Sequence, residues 1–328
     1  MKKNNCELKQ IAQALLCAET ILLFPHIHLD GDCLGSTVAL CRVLRKLKKQ
    51  VYILIEDEIP ANLAFLQGDF CTNKLDIMKE VDICLAVDCS DLTRIEKRKD
   101  IFYSGKSTFN IDHHVTNEYF ADFNYVDISA AATGEIIYQL IIYMKADIDP
   151  LIAEALYTAI VTDTGNFQYS NTTKRTHLIA AALFDSGMDH NKIIITIYQN
   201  VNPKKIKLTA LALSTMEFIC GGKGVIAYID SKMFQQTNSS IYETDGVVEQ
   251  LRNISGVEIA TLLKEENKDR IKVGMRSKAK ANVAEIVRAF GGGGHNKAAG
   301  CTIEGSTLEI AKEQIIEAMK AHLKNIEG

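Results

Sequence analysis

Along the first 190 residues, short runs of consecutive apolar positions alternate with longer segments in which apolar residues recur at helical spacing. The runs at 21–24, 51–55 (Val-Tyr-Ile-Leu-Ile), 81–88 (Val-Asp-Ile-Cys-Leu-Ala-Val-Asp) and 107–112 have the length and β-branched content of strands, and they lack the strict polar alternation of a sheet with one wet face. Helical period follows at 35–49, 133–145, 151–162 and 174–186; the second of these opens on the cap-like Thr133-Gly134-Glu135, and Asp185-Ser186-Gly187 ends the block. Strands separated by helices predict an α/β, doubly wound parallel-sheet domain over 1–188.

Residues 189–220 read as a helical linker broken by Asn202-Pro203-Lys204. A second alternation then predicts strands at 224–230, 256–263 and 270–276, a helix at 281–290, the run Gly291-Gly292-Gly293-Gly294-His295, a short strand at 298–303 and a closing helix at 307–323. This is a smaller α/β domain, 221–328. No internal repeat or low-complexity tract interrupts either pattern.

Composition narrows the chemistry. The 328 residues are 47% apolar and 24% charged, enough for two domains with cores. A net charge of -4 and a pI near 6.1 argue against a long basic groove, so any nucleic-acid ligand is expected to be short. Nine cysteines without a Cys-x-x-Cys pair fit reduced thiols in a cytoplasmic protein. No signal peptide is apparent, nor a span of about 20 apolar residues, so no membrane association is expected.

The polar residues that interrupt or end the apolar runs carry the functional signal. His26, Asp30 and Asp32 follow the first strand, Asp88 ends another, Asp112-His113-His114 ends the next, and Asp163 follows a buried helical stretch. Singly, Asp30 or Asp32 reads as a helix cap, Asp88 as a turn former and the His pair as a hydrogen-bonded surface feature. Together they fall at successive strand ends, the edge where open α/β sheets bind ligands, and suggest a two-metal site. Carboxylate and imidazole donors without thiolate favour Mn²⁺ or a similar ion over structural zinc. In the second domain the glycine run allows backbone amides to approach an anion, although glycine runs also serve as flexible turns. Arg276 offers a guanidinium suited to bidentate phosphate contact, and Lys278, Lys280 and Lys297 add local positive charge.

The motifs His26-x-x-x-Asp30-x-Asp32, Asp88, Asp112-His113-His114 and Asp163-Thr164-Gly165-x-Phe167 resemble the four motifs of the DHH phosphoesterases, and Gly291-Gly292-Gly293-Gly294-His295-x-x-Ala298-Ala299-Gly300 resembles the signature of their DHHA1 substrate domain. Within that family the chain is most similar to the nanoRNase branch. The resemblance implies two Mn²⁺ ions, with Mg²⁺ or Co²⁺ as substitutes. One would be held by His26, Asp30 and Asp88 and the other by Asp32, Asp88, His113 and Asp163, with Asp88 shared. It further implies catalytic roles for His114, Asp88 and Asp112, substrate binding by Arg276, Gly292, Gly293, Gly294 and His295, and a cleft between the domains. His28 occupies a variable position and is left outside the coordination sphere. The activity implied is two-metal hydrolysis of short RNA or DNA oligonucleotides to mononucleotides and of 3'-phosphoadenosine 5'-phosphate (pAp) to AMP. The alternatives are a phosphodiesterase for signalling dinucleotides such as pApA, a RecJ-type single-strand exonuclease, a soluble pyrophosphatase, which the glycine loop disfavours, and a nucleotide-binding regulator without turnover. Assembly as a homodimer is left open.

Overall fold

The computed structural model describes residues 5–326, and the chain divides into two compact units between Asn200 and Val201. The first unit opens with α1 (Leu8–Cys17) and continues through β1 (Thr20–Pro25), α2 (Gly31–Lys46), β2 (Gln50–Leu54), β3 (Cys71–Thr72), β4 (Ile83–Val87), α3 (Lys99–Phe102), β5 (Ser107–Asp112) and β6 (Phe123–Val126). It closes with α4 (Thr133–Tyr143), α5 (Pro150–Asp163), α6 (Lys174–Phe184) and α7 (His190–Tyr198). The strands form one sheet in the order β3-β2-β1-β4-β5-β6, parallel throughout. The order reverses between β1 and β4, the switch point at which the carboxyl ends of a doubly wound sheet open a crevice.

Both faces of the sheet are covered, so the central strands are apolar without alternation. On one face Ile21, Leu23, Ile53, Leu85, Val87 and Ile111 join residues of α1, α2, α4 and α5 in a single buried cluster. On the other, Leu22, Phe24, Leu54, Cys84 and Ala86 pack with Ile95 and Phe102, and the Phe24 and Phe102 rings meet edge to face at 5.4 Å. Arg98, 1% exposed, lies under this second face, where Nη1 donates to Pro25 O at 2.8 Å and Leu54 O at 2.7 Å, tying together the ends of β1 and β2.

Small residues set the approach of the helices that bear on the site. A Cβ on Gly35 of α2 would sit 2.5 Å from Ala155 O, one on Gly31 would sit 2.4 Å from the Thr162 side chain, and one on Gly134 of α4 would sit 2.6 Å from Ala159 Cβ. Glycine within a helix costs roughly 0.5–1 kcal/mol relative to alanine. Here it lets α2 and α4 lie directly against α5, which brings the first turns of α2 and α4 to the carboxyl end of α5.

The second unit comprises α8 (Pro203–Ser214), β7 (Glu217–Ile219), β8 (Gly224–Ile229), α9 (Ser231–Thr237), α10 (Val247–Arg252), β9 (Ile259–Asn267), β10 (Arg270–Ser277), α11 (Val283–Arg288), β11 (Gly293–His295), β12 (Ala298–Glu304) and α12 (Leu308–Asn325). Its mixed sheet runs β11-β12-β10-β9-β8-β7. One face packs on α11 and α12 through Val273, Met275, Ile315 and Met319, and part of the other on α8 and α10 through Leu208, Leu251 and Leu262.

Two expectations change. The segment 189–220 holds α7, α8 and the short strand β7, and the division between the compact units runs through it, with α7 in the first and α8 and β7 in the second. The glycine run is not an open loop, because Gly293, Gly294 and His295 pair with Gly300, Ala299 and Ala298 as an edge strand. β3, β6, β7, α1, α3, α9 and α10 were not read from the sequence; all but α1 are short, and α1 was missed although its buried Leu8, Ile11, Ala12 and Leu15 follow helical spacing.

Candidate metal centre

His26 follows β1 directly. Its Nδ1 lies 2.7 Å from Ile27 O, an oxygen that can only accept, so Nδ1 carries a proton and Nε2, which faces the site, is the nitrogen that would give up its proton to a cation. Asp30 caps α2, with Oδ1 accepting from Cys33 N at 2.9 Å, while Oδ2 lies 3.4 Å from His26 Nε2. The cap and ligand readings of Asp30 are therefore compatible, one oxygen for each.

Asp32, in the first turn of α2, is 2% exposed. Its Oδ2 accepts from Thr133 N at 2.7 Å, and Oδ1 accepts from Gly134 N at 2.9 Å and from the Ser36 hydroxyl at 3.0 Å, so the amino end of α4 orients this carboxylate. Asp88, one residue past β4, has φ 61, a left-handed conformation uncommon away from glycine and found preferentially at functional sites. Its Oδ1 accepts from the Thr133 hydroxyl at 2.8 Å. The side chain stands between two imidazoles, with Oδ2 3.5 Å from His26 Nε2 and Oδ1 3.7 Å from His113 Nε2.

His113 has the same arrangement as His26. Nδ1 lies 3.2 Å from Ala130 O, and Nε2 is 3.7 Å from Asp32 Oδ2, Asp88 Oδ1 and Asp163 Oδ2. Asp163 is the last residue of α5, where the helix dipole disfavours an anion. Two sets of donors thus share Asp88: His26 with Asp30 on one side, His113 with Asp32 and Asp163 on the other.

The spacing bears on what these groups can hold. Nitrogen–oxygen separations of 3.4–3.7 Å exceed a good hydrogen bond and leave the donors facing one another slightly farther apart than the about 3 Å between adjacent ligands of an octahedral cation. Electrostatics agree. Burial pushes the Asp32 carboxyl well above its ordinary range, helped by the charges of Asp88 and Asp163. Burial also raises Asp163, to about 6. His113 rises to about 9: burial alone would lower it, but the charges of Asp32, Asp88 and Asp163 outweigh burial. His26 rises for the same kind of reason, burial being overcome by Cys33, Asp30 and Asp88. Asp88 is held low, the His26 hydrogen bond and the charges of His113 and His114 outweighing burial. The cluster thus recruits protons to make up a deficit of positive charge, and the oxygen and nitrogen donors fit divalent cations, which would supply that charge instead.

Asp112, anticipated among the catalytic groups, lies one step behind. It is fully buried, its Oδ1 accepts from His114 Nδ1 at 2.6 Å and from His113 N at 2.8 Å, and its Oδ2 accepts from Asn117 Nδ2 at 2.6 Å. It holds the His114 ring, which is 29% exposed, by that hydrogen bond. His28 points away, 80% exposed beside Asp57. Sequence reasoning missed Asn110, Asn117, Ser36 and the contacts of Thr133. Asn110 was findable as a polar residue two before Asp112 on the same strand face; the others depend on tertiary approach.

In the second unit, the register places Arg276, Ala298 and His295 in one row across β10, β12 and β11, and Gly274, Gly300 and Gly293 in another row on the same face. Arg276 Nε donates to Glu249 Oε1 at 2.9 Å beside a hollow of about 230 Å³ that Lys264 and Asp245 also line. The glycines divide by purpose. A Cβ on Gly292 would meet Gly300 O at 2.4 Å and one on Gly294 would meet Ala298 O at 2.6 Å, whereas one on Gly293 would meet nothing within 4 Å. Gly292 and Gly294 are required by packing; Gly291 and Gly293 both have open space where a Cβ would go, but Gly291 has φ 72, so of the paired glycines Gly293 is the one kept glycine by neither contact nor backbone conformation. Lys278 and Lys297 donate to the carbonyls of Ile254 and Ala279.

Comparison with known proteins agrees with this architecture. Residues 20–160 match the DHH family, N-terminal domain, and residues 221–325 match the DHHA1 domain. The chain belongs to the DHH family. A bifunctional oligoribonuclease and PAP phosphatase NrnA of Thermus thermophilus is 30% identical over 319 residues, covering 97% of this chain and 94% of that protein. The protein of the same name from Bacillus subtilis is 27% identical, with 90% and 92% covered. Among solved structures, an exopolyphosphatase-related protein from Bacteroides fragilis shares the fold at a TM-score of 0.92 and 24% identity, with 98% of this chain and 97% of that one covered. Among the described residues, no helix is long and apolar enough to cross a membrane.

Proposed function

We propose that this protein is a divalent-metal-dependent phosphoesterase that hydrolyses short oligoribonucleotides to mononucleotides and removes the 3'-phosphate of pAp. The observation that carries the reading is the pair of donor sets sharing Asp88; the names of the two relatives support the substrate class. His26, Asp30 and Asp88 would hold one cation and Asp32, Asp88, His113 and Asp163 the other, with Mn²⁺ favoured by the donor set over structural zinc. When bound, such a pair supplies Lewis-acid activation of water and neutralises charge on the phosphoryl group.

The chain's own residues do the rest. Thr133 and the amides at the start of α4 fix Asp32 and Asp88, so the ligands need little rearrangement on loading. Asp112 fixes the His114 ring and favours its protonated form; burial opposes this, but the hydrogen bond to Asp112 and the Asp88 charge win, and the His114 pKa is raised. An imidazolium so held is suited to stabilise negative charge on a phosphoryl oxygen. Arg276, His295 and the Gly293 backbone are the second unit's candidates for a terminal phosphate or base. One such contact, not a basic groove, suits a chain of net charge -4 to short ligands.

The test is incubation of purified protein with end-labelled RNA dinucleotides, pAp and pApA in Mn²⁺, Mg²⁺ or Co²⁺. Cleavage of dinucleotides and pAp that EDTA stops is the expected result. No cleavage of either in any metal refutes the reading, and turnover confined to pApA replaces the substrate class.

A further inference from the structure

The shared carboxylate has a third neighbour that the oxygen and nitrogen sets leave out. Cys33, in the first turn of α2, is fully buried, and its sulfur accepts the His26 backbone N–H at 3.0 Å. Ligand atoms of His26, Cys33 and Asp88 all lie within 4.8 Å of one another. This is not a cysteine on its own: His26 and Asp88 are each 2% exposed and turn toward the same point as the thiol. These are three mutually close protein donors, the number that holds a borderline-soft ion with one position left open, and Asp30 Oδ2 lies 3.4 Å from His26 Nε2 at its edge. The Cys33 thiol also donates to Val87 O at 3.6 Å, a contact given up on binding as thiolate; the other buried thiol beside the site, Cys89, is directed to the Phe24 and Val87 carbonyls and packs in the opposite-face core.

We propose that Cys33 is a sulfur ligand for thiophilic divalent cations, Zn²⁺, Cd²⁺ or Co²⁺, at the position formed by His26 and Asp88. The two halves of the centre then differ in kind. The His113 side offers imidazole and carboxylate only, suited to Mn²⁺ and Mg²⁺, whereas the His26 side adds a soft donor that raises its preference for zinc-like ions. Binding as thiolate displaces the S–H proton to solvent. The metal content of the protein is therefore set by which ions are available and not by geometry alone.

This inference rests on the metal-centre reading, and the experiment separates the two. The protein is loaded with Co²⁺ alone, and its absorption spectrum is recorded for the wild type, Cys33→Ser and Cys33→Ala. After unbound cobalt is removed by gel filtration, visible d–d bands report cobalt retained by the protein, and a near-ultraviolet sulfur-to-cobalt charge-transfer band reports the thiolate. The expected result is both bands in the wild type and only the visible bands in the two variants. Visible bands without charge transfer in the wild type overturn the role of Cys33 and leave the metal centre standing. Charge transfer that persists in both variants assigns the sulfur to another of the nine cysteines and likewise overturns it. Absence of any cobalt spectrum refutes the metal centre itself. As a second measure, competition between Cd²⁺ and Mn²⁺ should show the preference for Cd²⁺ falling by about ten- to a hundredfold in Cys33→Ser; an unchanged preference overturns the proposal even if Cys33→Ala fails to fold.

Discussion

Stripping the metal should make the first unit's stability depend steeply on pH, and His113 sets the size of the effect. Its ring is 14% exposed, and its pKa is raised in the fold from 6.5 to about 9; burial alone would lower it, but Asp32, Asp88 and Asp163 outweigh burial. The folded state therefore binds this proton more tightly than the unfolded chain. The stability it contributes is complete below about pH 6.5 and is lost as pH rises toward 9. At about 1.4 kcal/mol per pK unit, the interval from 6.5 to about 9 corresponds to at most about 3 kcal/mol. His26, also raised, adds loss of the same sign, and Asp163, raised by burial to about 6, extends the trend to between about pH 4 and 6. For a unit of this size about 3 kcal/mol corresponds to roughly 6–12 °C in Tm. Differential scanning calorimetry in EDTA from pH 6.5 to 9 should show a fall of that order, smaller in His113→Gln. Saturating Mn²⁺ should flatten the slope, because the cation takes the place of the protons. A metal-free Tm that stays constant over this range, or an equal fall in His113→Gln, would refute the electrostatic account of the site.

Three further outcomes are expected. Asp88→Asn, which removes the shared carboxylate, should abolish hydrolysis and weaken cation binding on both sides by calorimetric titration, without unfolding the metal-free protein; retained activity would discredit the ligand assignment. Thr133→Val removes a hydrogen bond to a charged group, worth about 1.5–3 kcal/mol, so cation affinity should fall roughly ten- to a hundredfold, with recovery in Thr133→Ser; equal affinity in all three would show the contact to be incidental. Gly292→Ala should lower the second unit's Tm because its Cβ would lie 2.4 Å from Gly300 O, while Gly293→Ala, with nothing within 4 Å, should leave Tm unchanged and raise KM. The same thermal loss in both would contradict the division between packing and binding glycines.

Much of the first unit was legible because parallel strands buried on both faces are written as unbroken apolar runs, and β1, β4 and β5 were read this way within two residues at either end. The candidate metal-binding groups could be picked out because a carboxylate or imidazole at the end of such a run is costly unless something pairs it. Boundaries set by caps were read less well. The helix expected from 35 begins at Gly31, because Asp30 caps it, and so Asp32 sits in its first turn. That Asp112 turns back to His114, His113 N and Asn117 was not legible, because adjacency to His113 and His114 says nothing about which way a side chain turns at a strand end. The glycine run looked like a loop because its pairing with β12 depends on a register that glycine does not encode.

The sequence by itself determined the α/β class, the apolar strands and the identity of the polar groups at their ends, since local period and desolvation cost are properties of a few neighbouring residues. Only the tertiary structure decided that Asp88 stands between two imidazoles, that α4 holds Asp32 by its amino end, and that Cys33 lies beside His26. Those contacts join residues up to 102 positions apart, and they exist because the switch in strand order and the glycine contacts of α2 and α4 with α5 bring separate ends of the chain to one edge. Proximity of that kind follows from packing, which no local pattern records.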